Sequence, residues 1–267
     1  MRENTPCGAL ERCENAIHYK AQACNSTGAC LPVVSNDCNG YQCGENDCKD
    51  QCYSDSDCTT FCDLSGAQGR CVSSFVSVSC SDPTALQTEI DNCSGGATCY
   101  FEITGICKNI VVQNVDVYIR GSSAGGSIHS VEANKPAVYV NAGLTQTTRL
   151  VIDNLTVEAA FCSPAPCSAQ PGVLIDGAGN PSVLVMAATV RNNSGAGISA
   201  TNSNLTVTGS TVQNNSGAGI SASNSTVTVA GSTVQNNSDT GIALTKSDFT
   251  IENCIIVSNG SLERRTG

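Results

Sequence analysis

From Asn192 onward the polar and apolar positions of the chain recur with a period of 22 residues. The run Asn192-Asn193-Ser194-Gly195-Ala196-Gly197-Ile198 returns at 214–220 and, with Asp239 and Thr240 substituted, at 236–242. Leu205-Thr206-Val207, Val227-Thr228-Val229 and Phe249-Thr250-Ile251 keep the same step. Within one copy the alternation is strict. Leu205 and Val207 share one side and Thr206 the other; beyond Thr208-Gly209, Ser210 and Val212 point with the apolar set, Thr211 and Gln213 against it. Short runs of Val, Ile and Thr with period two, bounded by Gly and Asn, predict strands and turns. A leucine-rich repeat also fits this period, but its Leu consensus and helical return are missing.

Such strands bury their apolar side only by stacking copy on copy, about 4.8 Å apart, which also pairs every backbone group between copies. Val207, Val229 and Ile251 then lie buried along one axis. At the corner, Asn193, Asn215, Asn237 and Asn259 form a ladder, because Asn tolerates left-handed backbone and hydrogen-bonds to its counterpart above. Parallel crossovers are right-handed. The predicted fold class is therefore all-β: a right-handed parallel β-helix solenoid over residues 97–260, of roughly six to seven rungs. The register runs backwards from Val207 to Val185, Ile152 and Ile119, with slack at 121–126, 161–171 and 177–181. Cys162 and Cys167 are expected to close the slack at 161–171 with a disulfide.

The same register aligns charges. Arg120 falls beside Asp153, and Glu158 beside Arg191, predicting inter-rung ion pairs worth about 0–1 kcal/mol each. Reading Asp153, Glu158 and Arg191 as a catalytic cluster would need a cleft. Cys254 falls in the column of Ser210 and Ser232 and is expected to be a buried free thiol. Ahead of the coil, residues 80–96 read as a linker and capping helix, with Asp82 at the N-cap, Pro83 next, and Leu86 and Ile90 covering the first rung. Residues 261–267 form an uncapped tail, so a partner or further chain is expected over the C-terminal rung.

Composition separates the front of the chain. Of 18 cysteines, eleven fall between Cys7 and Cys71. With few large apolar residues, residues 1–79 read as a disulfide-stapled module of an oxidising compartment, its connectivity not legible. Zinc is disfavoured by the cysteine gaps and the near absence of His, and Asp55-Ser56-Asp57 is a poor calcium loop. No metal or cofactor is expected. Met1-Arg2-Glu3-Asn4 opens without an apolar h-region, so a secretion signal is expected to have been removed or truncated from a secreted or cell-surface protein. No apolar run reaches membrane-span length. A net charge of -10 disfavours nucleic acid as a partner, and over 192–245 Asp239 is the only charge.

The short helix, the Val-Tyr-Ile-Arg-Gly strand at 117–121 and the N-N-x-x-x-G-I repeat resemble the right-handed parallel β-helix proteins of the pectate-lyase-like superfold. The cysteine-rich front resembles modules preceding such helices in secreted proteins of environmental bacteria, notably myxobacteria. The resemblance implies the fold and allows polysaccharide lyase or hydrolase activity. The N-T-D, D-D, G-H-G and R-I-K motifs of the galacturonan hydrolases are missing, and the acids are dispersed. Two facing carboxylates, which glycosidases need, are not offered by any column. A non-catalytic secreted or surface protein is therefore favoured, its β-helix a scaffold or adhesin-like surface for an extracellular glycan or protein. The alternatives are a lyase or hydrolase, and a spacer presenting the cysteine-rich module. Ice binding fits poorly, since the outward files Thr206, Thr228, Thr250 and Thr189, Thr211, Thr233 are read as one Thr per strand.

Overall fold

The computed structural model describes residues 10–260 apart from 24, 28, 40, 45–46, 53–56, 59–60, 64–68, 73, 94–97, 133, 144–147, 160–168 and 178. Two compact units divide the chain, Met1–Ser74 and Phe75–Gly267.

The second unit is a coil of parallel strands with three faces. Face one stacks Ile110–Gln113, Val138–Ala142, Val173–Gly177, Ile198–Thr201, Ile220–Ser223 and Ile242–Thr245. Face two stacks Val76–Ser79, the first halves of Cys99–Lys108 and Asp116–Ser130, then Arg149–Asp153, Ser182–Met186, Asn204–Thr208, Thr226–Ala230 and Asp248–Glu252. Face three begins with the second halves of the two long strands and continues through Thr156–Ala159, Thr189–Arg191, Thr211–Gln213, Thr233–Gln235 and Ile255–Val257. The register Ile119, Ile152, Val185, Val207, Val229, Ile251 runs unbroken up face two. Val207 and Val229 are fully buried. Ile251, expected to be buried with them, is 37% exposed, because no described strand lies over the last rung.

Each corner of the regular rungs uses one device twice over. A residue in left-handed backbone turns the chain, and the next residue points a small polar side chain inward. At the three corners the turning residues are Asn202 and Asn224; Gly209, Gly231 and Asn253; and Asn192, Asn214 and Asn236. The inward residues that follow are Ser203 and Ser225; Ser210 and Ser232; and Asn193, Asn215 and Asn237, all buried. The backbone N–H of each inward residue but Ser232, whose counterpart is Cys254, donates to the side-chain oxygen of its counterpart one rung on. Examples are Ser203 to Ser225 Oγ at 3.2 Å, Ser210 to Ser232 Oγ at 3.2 Å and Asn215 to Asn237 Oδ1 at 3.1 Å. Corner N–H groups that the strands cannot pair are thereby satisfied, each sparing about 1–3 kcal/mol of burial penalty. The two jobs assigned to one corner asparagine are thus split between neighbours: the first Asn turns, the second builds the ladder.

The glycine of the repeat completes this ladder. A Cβ on Gly219 would stand 2.6 Å from the Gly241 carbonyl oxygen and 2.8 Å from Asn237 Nδ2, so the inward amide occupies the space a side chain would need. Gly219→Ala is therefore expected to lower stability by about 1–3 kcal/mol in a urea titration. Gly209→Asn should change it by no more than about 0.5 kcal/mol, since that site has positive φ and open space and Asn253 already fills the same column.

Cys254 occupies the serine column and is free, its Sγ 3.3 Å from the Val229 carbonyl as Ser232 Oγ is from Val207. It is half-buried, not buried as expected, because nothing described covers its rung.

At the other end the helix Ala85–Asp91 places Leu86 and Ile90 into the coil's core. Asp82 is not its N-cap. Thr84 holds that position without a side-chain cap, and the Asp82 carboxylate accepts from the Thr84 N–H and hydroxyl, which holds its pKa low. Gln87 lies over the open edge of face one: its amide accepts from the Val111 N–H at 2.7 Å and donates to the Val111 carbonyl at 3.1 Å, standing in for a strand. Val76–Ser79, expected in the front module, pairs in parallel with Cys99–Lys108, so the division between units falls at Ser74 and Phe75. The bridges Cys80–Cys107 and Cys93–Cys99 tie this end together.

The first unit carries an antiparallel sheet, Arg12–Glu14, Ile17–Tyr19 and Ser35–Asp37, and a hairpin, Phe61–Asp63 with Arg70–Val72. Bridges between described residues include two interleaved pairs, Cys13–Cys43 with Cys38–Cys48 and Cys52–Cys62 with Cys58–Cys71. Cystine sulfur replaces an aliphatic core: Cys52, Cys58 and Cys62 cluster with Tyr41 and Cys71. The Cys162–Cys167 bridge expected from sequence lies outside the described residues.

Candidate functional site

Charged and aromatic side chains concentrate on two outer faces of the early rungs. On face three, Lys108, His129, Glu158, Arg191, Gln213 and Gln235 form one file. Glu158 is its centre. One carboxylate oxygen meets Arg191 Nε at 2.5 Å and Asn192 Nδ2 at 3.0 Å, the other His129 Nε2 at 3.3 Å. Nearby, Glu132 binds Lys108 and Lys135, and their hydrogen bonds hold its pKa at about 2. That value lies below the ordinary 4.5, so these pairs stabilise the fold near neutrality and lose their effect as pH falls from 4.5 towards 2.

On face two the Phe75, Tyr100 and Tyr118 rings pack with centroids 5.4–5.8 Å apart, and the Arg120 guanidinium lies 4.3 Å over Phe75. Arg120 and Asp153 are register partners. Arg120 donates to Glu102, on the preceding rung, at 2.9 and 2.7 Å, and Asp153 accepts from the Tyr118 hydroxyl at 2.8 Å. Sequence reasoning missed Glu102, Tyr118 and His129. Their alignment was readable only by assigning loop lengths between unequal early rungs.

Chemically these groups are saturated pairs on outer faces. Among the described residues no register column sets two carboxylates side by side. Arg191→Ala is expected to cost under about 1 kcal/mol of stability by denaturant titration, as befits a pair whose Arg side chain is 45% exposed. A groove of about 420 Å³ beside the capping helix is lined by Gln87, Ile90, Asp91, Val111 and Gln113 among others, with one acid. The two sulfur clusters that have metal-like spacing, Cys13/Cys38/Cys48 and Cys52/Cys58/Cys71, are made of cystines, which lack thiolates to offer. Asp57 of the acidic turn is paired with Lys49 at 2.5 Å; Asp55 and Ser56 lie outside the described residues.

Over 192–245 the outer surface is mainly hydroxyl and amide, with Asp239 the one charge. Thr206, Thr228 and Thr250 stand in one file, Thr189, Thr211 and Thr233 in another, and Gln235 Nε2 donates to Gln213 Oε1 at 2.9 Å. The count of one Thr per strand needs correcting. Thr208 shares an outward face with Thr206, and Thr226 with Thr228, since residues two apart in a strand point the same way.

Parallel strands wound on three faces about one buried axis define this unit as a parallel β-helix. Residues 137–265 match the family model described as "Right handed beta helix region". No curated protein and no solved structure matches the chain.

Proposed function

We propose that this is a non-catalytic secreted or cell-surface protein whose β-helix is a rigid scaffold with a binding surface for a neutral glycan or a protein. The observation that carries the reading is the outer surface over 192–245, where files of Thr, Ser and Gln repeat rung by rung with Asp239 the only charge. Aligned hydroxyls and amides hydrogen-bond to neutral polar ligands, while acid–base catalysis needs titratable groups in a cleft. The disulfides support an oxidising compartment. The test is a glycan array probed with the whole chain, followed by the double variant Thr206→Val and Thr228→Val. Retention of a neutral glycan, weakened about tenfold by the pair of substitutions, is expected. Turnover of pectin or alginate would overturn the reading.

A second reading makes the β-helix a spacer and the cysteine-rich unit the recognition element. It is favoured by an open, exposed strand edge in that unit.

A further inference from the structure

We infer that residues 33–37 of the cysteine-rich unit form a docking edge for an extended polypeptide, which adds to the three-stranded sheet as a fourth strand. The inference rests on the second reading above and names its partner.

The sheet has the order Arg12–Glu14, Ile17–Tyr19, Ser35–Asp37, so among the described residues the last strand has one neighbour. Lys20 N donates to the Val34 carbonyl at 2.9 Å, and Cys38 N to that of Ala16 at 2.9 Å. The even-numbered residues therefore turn their backbone groups towards the central strand. By the alternation of an antiparallel pair, the N–H and C=O groups of Val33, Ser35 and Asp37 turn outward. No described group meets them, and Ser35, Asn36 and Asp37 are all exposed. The apolar side chains beside this edge are exposed as well: Leu31 at 42%, Val33 at 42% and Val34 at 55%.

The opposite edge is built differently. Arg12–Glu14 carries an Arg and a Glu paired at 3.6 Å, with the Arg12 guanidinium 4.6 Å over the Tyr19 ring. Charges of this kind keep foreign strands away. Residues 33–36 carry none.

A row of donors and acceptors recurring at every second residue complements another strand's backbone, and neighbouring valines supply side-chain contact. Net charge sets the partner's sign. Residues 1–74 hold ten acidic and five basic side chains, and Asp37 ends the edge. The partner is therefore an extended segment of another protein, apolar at alternate positions and flanked by Lys or Arg.

The test uses the whole ¹⁵N-labelled chain and the acetylated, amidated peptide Lys-Val-Thr-Val-Thr-Val-Lys. Titration is expected to shift the amides of Val33, Ser35 and Asp37 and to slow their hydrogen exchange. Ser35→Pro removes an outward donor at an edge position that tolerates proline, and should weaken binding about tenfold with the disulfide map unchanged. Val34→Lys, which leaves the backbone alone, should weaken it similarly and serves if the proline variant misfolds. Binding that survives both substitutions overturns the inference. Shifts confined to other residues of 10–72 sink the edge assignment but keep the unit as a recognition element; no shift anywhere in 10–72 removes both. A dimer of the free chain that Val34→Lys dissolves would assign the edge to a second copy instead, against the inference.

Discussion

Asn215→Ala is expected to lower the unfolding free energy by about 3–5 kcal/mol. Asn215 is 1% exposed. Its Oδ1 accepts from both the backbone N–H and the Nδ2 of Asn193, at 3.1 and 2.7 Å. Its own Nδ2 donates to Asn237 Oδ1 at 2.8 Å and lies 3.4 Å from the Val190 carbonyl. Alanine would strand two buried donors at once, each worth about 1–3 kcal/mol, and leave a small void beside Gly197. Both flanking rungs are ordered strands, so the site cannot relax by fraying. Asn259→Ala is the control. It leaves the same kind of donors on Asn237, but in the last described rung, where Asn259 is only part-buried and water can replace the lost acceptor. Urea midpoints for the two variants decide the matter. Equally small losses at Asn215 and Asn259 would mean that the ladder is decoration on a coil held by its apolar files alone.

The capping helix gives the second large effect. Leu86 is fully buried and Ile90 3% exposed, both packed into the coil's core cluster. Leu86→Ala should cost about 2–5 kcal/mol, the range for truncating a buried leucine where the surroundings cannot collapse. The loss should also be local. Once the helix loosens, Gln87 no longer covers the Val111 N–H and C=O, so hydrogen exchange at Val111 should accelerate well before that at Val229. Uniform exchange along the coil in the variant would mean that the helix does not act as a cap.

The regular rungs were legible because their register is written locally. Identical spacing between Val207, Val229 and Ile251 needs no knowledge of the loops, and the inward and outward sets follow from strand alternation. Serine was harder. Ser203 and Ser225 look like loop polarity in sequence, yet they are buried ladder residues, because only stacking reveals that a corner N–H needs an acceptor one rung above.

By itself the sequence determined the solenoid, its axis, the pairing of Glu158 with Arg191 in register, and a cystine-held front. These depend on period, composition and residue chemistry, which each repeat carries within itself. The tertiary structure alone decided which cysteines join, that Glu102 binds the Arg120 guanidinium, that His129 flanks Glu158, and that Ser35–Asp37 is the last strand of its sheet among the described residues. Each of those contacts spans segments of unequal length, so their meeting is set by the burial and backbone pairing of the whole coil or sheet, and no local pattern encodes it.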